Sequence, residues 1–291
     1  MTDYIWYYSL AAVSFITGLW VIIQKRKTYP VSTMMIYYLF ATGITWIGEF
    51  IVLGIFHSYE YKTGLYDSIW AQSLIGHLLL NTTMFPAAGL IMVTNSRSYL
   101  RSALIAAVFV VIEYLFHELG IYVQHWWRYY MSAVNLFIFE AVSRIWFNKM
   151  VRPFRRSTRA VVLYFVGMVI IHLPSPLLLL YGRMNYTMEW IYQMVHDIYI
   201  TSIIISFFLH LLESLLLVLV ACILKNPLWK LVPFIISAAV QTLFARTGIM
   251  VVNHGWKPIY TILVSALSIT VFYLIEKSSL KLLVEDSTDA R

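Results

Sequence analysis

Long apolar runs separated by short polar connections form the dominant pattern along this chain. A helix that crosses the hydrocarbon core of a bilayer needs about twenty apolar residues. Nine runs reach that length, at approximately residues 5–24, 34–56, 68–93, 102–122, 130–147, 160–181, 198–224, 231–252 and 259–275. The pattern therefore predicts an all-α polytopic membrane protein with about nine transmembrane helices.

The polar connections fall into two sets that differ in charge. One set carries most of the basic residues, namely Lys25, Arg26, Lys27, Arg97, Arg101, the run from Lys149 to Arg159, Lys225, Lys230 and the positions from Lys277 onward. The other set carries only Lys62, Arg128, Arg183 and Lys257. Because basic loops tend to stay in the cytoplasm, we expect the N-terminus outside the cell and the C-terminus in the cytoplasm.

Composition agrees with a membrane location. Hydrophobic residues make up 60% of the chain and charged residues 12%, with a mean hydropathy of +0.75, whereas charged residues account for about 25% of soluble domains. The formal net charge is +7, but the basic residues are distributed among the connections, so no nucleic-acid partner is expected. The single cysteine, Cys222, excludes an intramolecular disulfide.

One polar and aromatic segment occurs twice. Residues 113–130 read EYLFHELGIYVQHWWRYY and residues 241–260 read QTLFARTGIMVVNHGWKPIY, so Leu-Phe, Gly-Ile, His and Trp recur in the same order. The repetition predicts two parallel four-helix repeats that follow one additional N-terminal helix. The expected division is 1–33 for the first helix and its turn, 34–159 and 160–277 for the repeats, and 278–291 for a cytoplasmic tail.

Ionisable and amide side chains inside the predicted helices are the candidates for function. A charged group costs about 2.5–3.5 kcal/mol at the centre of a membrane on insertion scales, so such groups face the interior of the bundle. We expect Glu113 to act as a general acid or base, with His77 tuning it and Glu49 as a further catalytic residue. The candidate binding residues are Asn81, His117, His172, His210, Glu213, Gln241 and Arg246.

Helical spacing pairs several of these groups. Glu140 and Arg144 are four residues apart and therefore share one face of a helix, where a structural ion pair is expected. The other pairs with such spacing are His77–Asn81, Glu113–His117 and His210–Glu213. Each of these pairs could hydrogen-bond within its own helix and serve packing alone.

The position of Glu113 differs between the two copies, because Gln241 occupies it in the second. An amide keeps the hydrogen bonds of a carboxylic acid but cannot transfer a proton. This difference favours a first copy that carries chemistry and a second copy that serves as scaffold.

Histidines near the predicted outer face raise the question of a metal or haem site. They are His57, His117, His125, His196 and His254. Neither an H-x-x-x-H nor an H-E-x-x-H spacing occurs, and the chain has no aspartate pair that would hold a magnesium diphosphate. We therefore expect no metal ion and no cofactor.

The run EYLFHELGIY followed by WWRYY resembles an uncharacterised family of small four-helix membrane proteins from spore-forming Gram-positive bacteria. The first repeat carries the resemblance through Glu113, Tyr114, Trp127 and Tyr130, and the second repeat departs from it at Gln241. The resemblance implies a bacterial plasma membrane and assigns no activity.

Three functions agree with these features. The first is an intramembrane enzyme that acts by acid–base chemistry on an isoprenoid or a lipid. The second is a proton-coupled transporter or carrier of a small molecule, and the third is a non-catalytic membrane assembly protein. The expected partners are membrane lipids and a hydrophobic small molecule, while the sequence does not specify an oligomeric state.

Overall fold

The computed structural model describes residues 3–152, 156–224 and 226–279, and most of them are helical. The helices are α1 (Asp3–Lys25), α2 (Val31–Glu49), α3 (Ile69–Thr94), α4 (Tyr99–Glu118), α5 (Tyr129–Met150), α6 (Arg156–His172), α7 (Pro174–Leu180), α8 (Glu189–Val195), α9 (Ile198–Cys222), α10 (Val232–Thr247) and α11 (Pro258–Ser279). A π-helical segment, Phe50–Ile55, continues α2, and a 3₁₀ turn, Pro227–Leu231, precedes α10. The predicted tail at 278–291 lies almost wholly outside the described residues.

Eight helical segments in the described part of the chain are long and apolar enough to cross a membrane. The α2 helix with its π-helical continuation forms one of them, and α6 with α7 forms another. The ninth predicted span is the 22-residue helix α5, which is not among the eight. Its charged pair Glu140 and Arg144 lowers its hydropathy, because both groups lie within the apolar stretch. The all-α polytopic membrane fold is confirmed.

Two short two-stranded antiparallel sheets interrupt the helical pattern. Strand β1 (Tyr59–Tyr61) pairs antiparallel with β2 (Tyr122–Gln124), and β3 (Met184–Tyr186) pairs antiparallel with β4 (Met250–Val252). We call these sheets the first and second hairpins, although helices separate the two strands of each along the chain.

The predicted spans 102–122 and 231–252 are therefore too long, since α4 ends at Glu118 and α10 ends at Thr247. Gly120 and Gly248 follow those ends with φ angles of 71° and 76°. Glycine adopts this left-handed conformation without a steric penalty, which allows the chain to leave the helix and enter a strand.

The largest buried cluster joins α2, α3 and α5 to α6, α9 and α11. Helices α2 and α6 lie at the centre of this contact, where Gly43 of α2 approaches the backbone of Phe165. A β-carbon at Gly43 would lie 2.6 Å from the carbonyl oxygen of Phe165. The absence of a side chain at Gly43 therefore sets how closely the two helices pack.

Replacing Gly43 with alanine is expected to lower stability by about 1–3 kcal/mol, the usual cost of overpacking a core. A backbone carbonyl cannot rotate away from the added methyl group, so the two helices must separate. Thermal unfolding of the purified protein in detergent measures the effect. Gly48→Ala is the matched control on the same helix, because a β-carbon at Gly48 would meet nothing within 4 Å. Equal unfolding temperatures for the two variants would contradict the prediction.

Two ion pairs stabilise the bundle away from the hairpins. The predicted pair between Glu140 and Arg144 is confirmed, with 2.8 Å between Glu140 Oε1 and Arg144 Nε. A second pair joins Arg159 of α6 to Glu276 of α11, and both side chains are buried. Arg159 also donates to the Ala221 carbonyl over 3.3 Å. Arg159 therefore ties α6 to both α9 and α11.

Candidate functional site

A cavity of about 220 Å³ lies between α2, α3, α4, α5 and the first hairpin. We call it the first-half cavity. Its walls are mostly aliphatic and aromatic, but Glu49, Asn81 and Glu113 also line it. Glu49 lies on α2 and Glu113 on α4, and both residues line the same cavity. A largely apolar cavity with a few polar groups is the usual form of a site for a small molecule.

The Glu49 side chain lies at the end of α2, facing the first hairpin. The hydroxyl of Tyr59 donates a hydrogen bond to Glu49 Oε2 over 2.6 Å, and the hydroxyl of Tyr61 donates to Oε1 over 3.1 Å. Side chains two residues apart in a strand point to the same face, so β1 presents both phenols to one carboxyl group. Both oxygens of Glu49 are therefore held by phenols of the hairpin.

The two phenols keep their protons at neutral pH. Burial raises the pKa of Tyr59 and of Tyr61 well above the ordinary value, and the nearby charge of Glu49 raises both further. Loss of a phenolic proton would place a second negative charge next to the carboxylate. Both residues therefore act as hydrogen-bond donors to Glu49.

Glu113 lies half-buried on α4, on another wall of the same cavity. The side-chain amide of Gln124 donates a hydrogen bond to Glu113 Oε1 over 2.8 Å. Gln124 is the last residue of β2, so the first hairpin holds this carboxyl group as well. Tyr122, also on β2, lines the cavity, and burial raises its pKa. The first hairpin thus positions both carboxyl groups.

The structure places His77 outside the first-half cavity. His77 lines a separate cavity of about 40 Å³ together with Trp46 and His172. Glu49 lines both cavities, whereas Glu113 lines only the first-half cavity. The predicted pairing within α3 is confirmed, since His77 Nδ1 lies 3.0 Å from the side-chain nitrogen of Asn81. A direct tuning contact between His77 and Glu113 is absent among the described residues, because α3 directs His77 away from α4.

A pair of buried histidines lies where the two halves of the bundle meet. Nδ1 of His172 on α6 and Nδ1 of His210 on α9 are 2.9 Å apart. The ring of Trp46 lies between His172 and His77, with ring centroids 5.6 and 5.8 Å away. The predicted bond between His210 and Glu213 does not form in the described structure. Glu213 Oε1 has no hydrogen-bond partner among the described residues.

Gln241 lies in the second half of the bundle, where it accepts a hydrogen bond from the hydroxyl of Tyr186 over 3.2 Å. Both residues and His210 line a cavity of only about 10 Å³. Burial raises the pKa of Tyr186, so this phenol also remains a donor. In the described part of the second half, these polar groups therefore surround a cavity that is too small for a ligand.

Two predicted binding residues, His117 and Arg246, lie away from the first-half cavity. His117 is exposed on α4 and lies 2.9 Å from the hydroxyl of Tyr129, so it does not pair with Glu113. Arg246 is exposed in the last turn of α10. Helices α4 and α10 lie at the edge of the bundle and have few buried residues. A polar residue on either helix can therefore face outward.

The tyrosines and the glutamine around the two carboxyl groups were missed by sequence reasoning. Tyr59, Tyr61 and Gln124 belong to connections that the hydropathy pattern treats as loops, and Tyr122 is the last residue of the predicted span 102–122. The alternation Tyr-Glu-Tyr at 59–61 is the one local signal, because it is typical of a strand with two aromatic residues on one face.

No protein-family model, curated protein or solved structure matches this chain. The relation to the four-helix family of spore-forming bacteria therefore stays a prediction, carried by Glu113, Tyr114, Trp127 and Tyr130.

Proposed function

We propose that this protein is an intramembrane enzyme that acts by acid–base chemistry on a hydrophobic substrate bound in the first-half cavity. The observation that carries the proposal is the presence of two carboxyl groups, Glu49 and Glu113, on the walls of one largely apolar cavity. An isoprenoid or a lipid with one polar group fits such walls, because its chain meets apolar side chains while its polar group meets a carboxyl group.

The two carboxyl groups are held by different partners from the first hairpin. Glu49 accepts hydrogen bonds from two phenols of β1 and is buried. Glu113 accepts one bond from the side-chain amide of Gln124 and is half-buried. A substrate between them would lose a proton to one carboxyl group and gain one from the other.

Aromatic rings around the cavity support a reaction that passes through positive charge on carbon. The rings belong to Phe85, Phe109, Phe116, Phe139 and Trp127. The face of an aromatic ring attracts a cation, by about 2 kcal/mol or more where water is excluded. Protonation of a double bond by Glu113 would create such a cation, which favours an isoprenoid substrate.

Replacing Glu113 with glutamine is expected to reduce product formation by about 10²–10⁴-fold, because the amide cannot transfer a proton. Mass spectrometry of lipid extracts from cells that express the wild type or the variant measures the effect. Glu118→Gln is the matched control, since Glu118 lies exposed on the same helix outside the cavity. Extracts that are the same for the wild type and Glu113→Gln would contradict the proposal and would favour an assembly role.

A proton-coupled carrier is the second candidate, and the buried pair His172–His210 favours it. Together with Trp46 and His77, the pair extends from the wall of the 40 Å³ cavity toward the second half. Such a row of imidazoles could pass protons across the bundle. Proton-driven uptake into proteoliposomes that disappears in Glu113→Gln, with unchanged lipid extracts, would favour the carrier over the enzyme.

We also infer that residues 34–159 and 160–277 are copies of one unit. The support comes from contacts that recur in both halves. In the first half the backbone N–H of Tyr61 donates to the hydroxyl of Ser73, and in the second half that of Tyr186 donates to the hydroxyl of Ser202. Likewise, the indole N–H of Trp127 donates to the hydroxyl of Ser132, and that of Trp256 donates to the hydroxyl of Thr261. Such parallel copies would form a pseudo-twofold bundle in which one cavity is open and the other nearly filled.

A His-Leu-Leu run precedes each copy of the repeated segment, at His77 and at His210, but the two histidines occupy different turns of their helices. His77 lies nine residues after Ser68, the cap of α3, while His210 lies thirteen residues after Asp197, the cap of α9. The difference of four residues is about one helical turn. The two histidines would therefore not be counterparts within the repeated unit, which agrees with their different surroundings.

A bacterial plasma membrane is the proposed location, with the hairpins on the outer side. The support is the distribution of basic residues, which are concentrated at the ends of the bundle opposite the hairpins. The first-half cavity would then lie in the outer half of the membrane, near its hairpin. A hydrophobic substrate would enter from the lipid rather than from the cytoplasm.

A further inference from the structure

Three ligand-type side chains meet on the first hairpin, outside the first-half cavity. Glu60 Oε1 lies 3.0 Å from Nε2 of His57 and 3.0 Å from Nε2 of His125. The ligand atoms of the three residues all lie within 4.8 Å of one another. Metal–ligand bonds of about 2.0–2.1 Å place neighbouring ligand atoms roughly 3–3.5 Å apart, so the three atoms are close to the spacing around one ion.

Backbone contacts hold the three residues together. The backbone N–H of His125 donates to the carbonyl of Ser58 over 3.0 Å, which joins the two segments that carry the histidines. Glu60 is the middle residue of β1, paired with Val123 of β2. The hairpin therefore fixes the positions of the imidazoles, so the site would be preorganised for an ion.

The conformation of His57 is the second observation in favour of a ligand. Its φ angle of 45° fixes the direction in which the ring leaves the backbone. Its ring packs on Trp70 with centroids 4.7 Å apart. Its Nε2 atom is buried and forms no hydrogen bond within the described structure, although Glu60 lies beside it. The imidazole of His57 is thus held with an unused nitrogen beside a buried carboxylate whose Oε1 already pairs with His125.

We propose that His57, Glu60 and His125 bind a divalent transition metal of the zinc class. Two imidazoles and one carboxylate are ligands that zinc accepts, and three protein ligands leave a position for water. Tyr59 and Tyr61 point from β1 into the first-half cavity, so Glu60 between them points to the opposite face. The ion therefore braces the hairpin that holds Glu49 and does not touch a substrate in the cavity.

The second hairpin provides the control for this site. Gly182 lies two residues before β3, as His57 lies two residues before β1, and its φ angle of 62° is also left-handed. The middle residue of β3 is Asn185 and not a glutamate, and the histidine of this hairpin is His254, which follows β4. Asn185 Oδ1 accepts a hydrogen bond from Asn253 over 3.3 Å. The second hairpin thus shares the backbone form of the first and lacks the buried carboxylate.

Cobalt titration of the full-length protein in detergent, after chelator treatment, tests the proposal. Wild type and His254→Ala are expected to bind one Co²⁺ per chain with visible d–d absorption that Zn²⁺ abolishes. His57→Ala, His125→Ala and Glu60→Gln are expected to weaken binding at least tenfold. Absence of Co²⁺ binding to the wild type, or equal binding by all variants, would overturn the site.

Zinc X-ray absorption on the wild type tests the same site without any substitution, in case a variant does not fold. The expected shell contains two imidazole nitrogens and at least one carboxylate oxygen, and a shell without imidazole would overturn the proposal. Zn²⁺ is also expected to raise the unfolding temperature of the wild type and of His254→Ala, but not of His125→Ala. Because no substrate is needed, the result does not depend on the proposed enzyme activity.

Discussion

Replacing Glu49 with glutamine is expected to abolish substrate conversion while the protein still folds. Glu49 is the carboxyl group with two phenol donors, from Tyr59 and Tyr61. An amide has only one acceptor oxygen, so one phenol can no longer donate and must accept from the amide nitrogen instead. The lost bond to a charged group costs about 1–3 kcal/mol of stability. The amide also cannot transfer a proton, which lowers the rate of conversion by about 10²–10⁴-fold.

Lipid extracts of expressing cells measure the conversion, and thermal unfolding in detergent confirms that the variant folds. Tyr59→Phe is the graded comparison, because it removes one hydrogen bond and leaves the carboxyl group in place. We expect about a tenfold reduction in rate for Tyr59→Phe, the equivalent of roughly 1.4 kcal/mol. Conversion by Glu49→Gln at the wild-type rate would contradict a catalytic role for Glu49.

Replacing Arg159 with alanine is expected to produce the largest loss of stability among the substitutions considered. Arg159 is buried against Glu276, so its removal leaves the buried carboxylate with only the more exposed Lys230 as a partner. Breaking a buried pair from one side costs about 3–5 kcal/mol. The substitution also removes the hydrogen bond from Arg159 to the Ala221 carbonyl, which joins α6 to α9.

Unfolding in detergent with increasing denaturant measures the effect of Arg159→Ala. Lys230→Ala is the matched control, because Lys230 also contacts Glu276, over 3.2 Å, but its side chain is 45% exposed. An exposed ion pair contributes about 0–1 kcal/mol, so the control is expected to unfold close to the wild type. The double substitution Arg159→Met with Glu276→Leu is expected to recover most of the lost stability. Equal losses for Arg159→Ala and Lys230→Ala would contradict the argument.

The helices and the pairs within them could be predicted from the sequence. Hydropathy predicted all the long helices, and spacing of four residues predicted Glu140–Arg144 and His77–Asn81. These predictions succeed because a helix has a fixed geometry, so two residues four apart lie on one face in any surroundings. Spacing alone did not decide the pair Glu113–His117, where contacts with the first hairpin and with Tyr129 take precedence.

The composition of the candidate site was less predictable than its location. Glu49, Asn81 and Glu113 were identified as candidates because polar groups are costly in a membrane, and all three line the first-half cavity. The partners of the carboxyl groups were not identified, since the tyrosines and Gln124 come from short strands without a hydropathy signal. His57 and His125 were noted among the histidines near the outer face, but the sequence did not bring them together with Glu60. The members of this cluster are up to 68 residues apart, and no local pattern links them.

By itself the sequence determined the membrane class, the number of long helices and the residues that lie in costly surroundings. These properties are local, because hydropathy and the helical period depend only on neighbouring residues. Only the tertiary structure decided that Glu49 and Glu113 share a cavity, that His77 lies outside it, and that the hairpins connect distant segments. Distances between helices depend on how closely they pack, as at Gly43, and no local pattern encodes those distances.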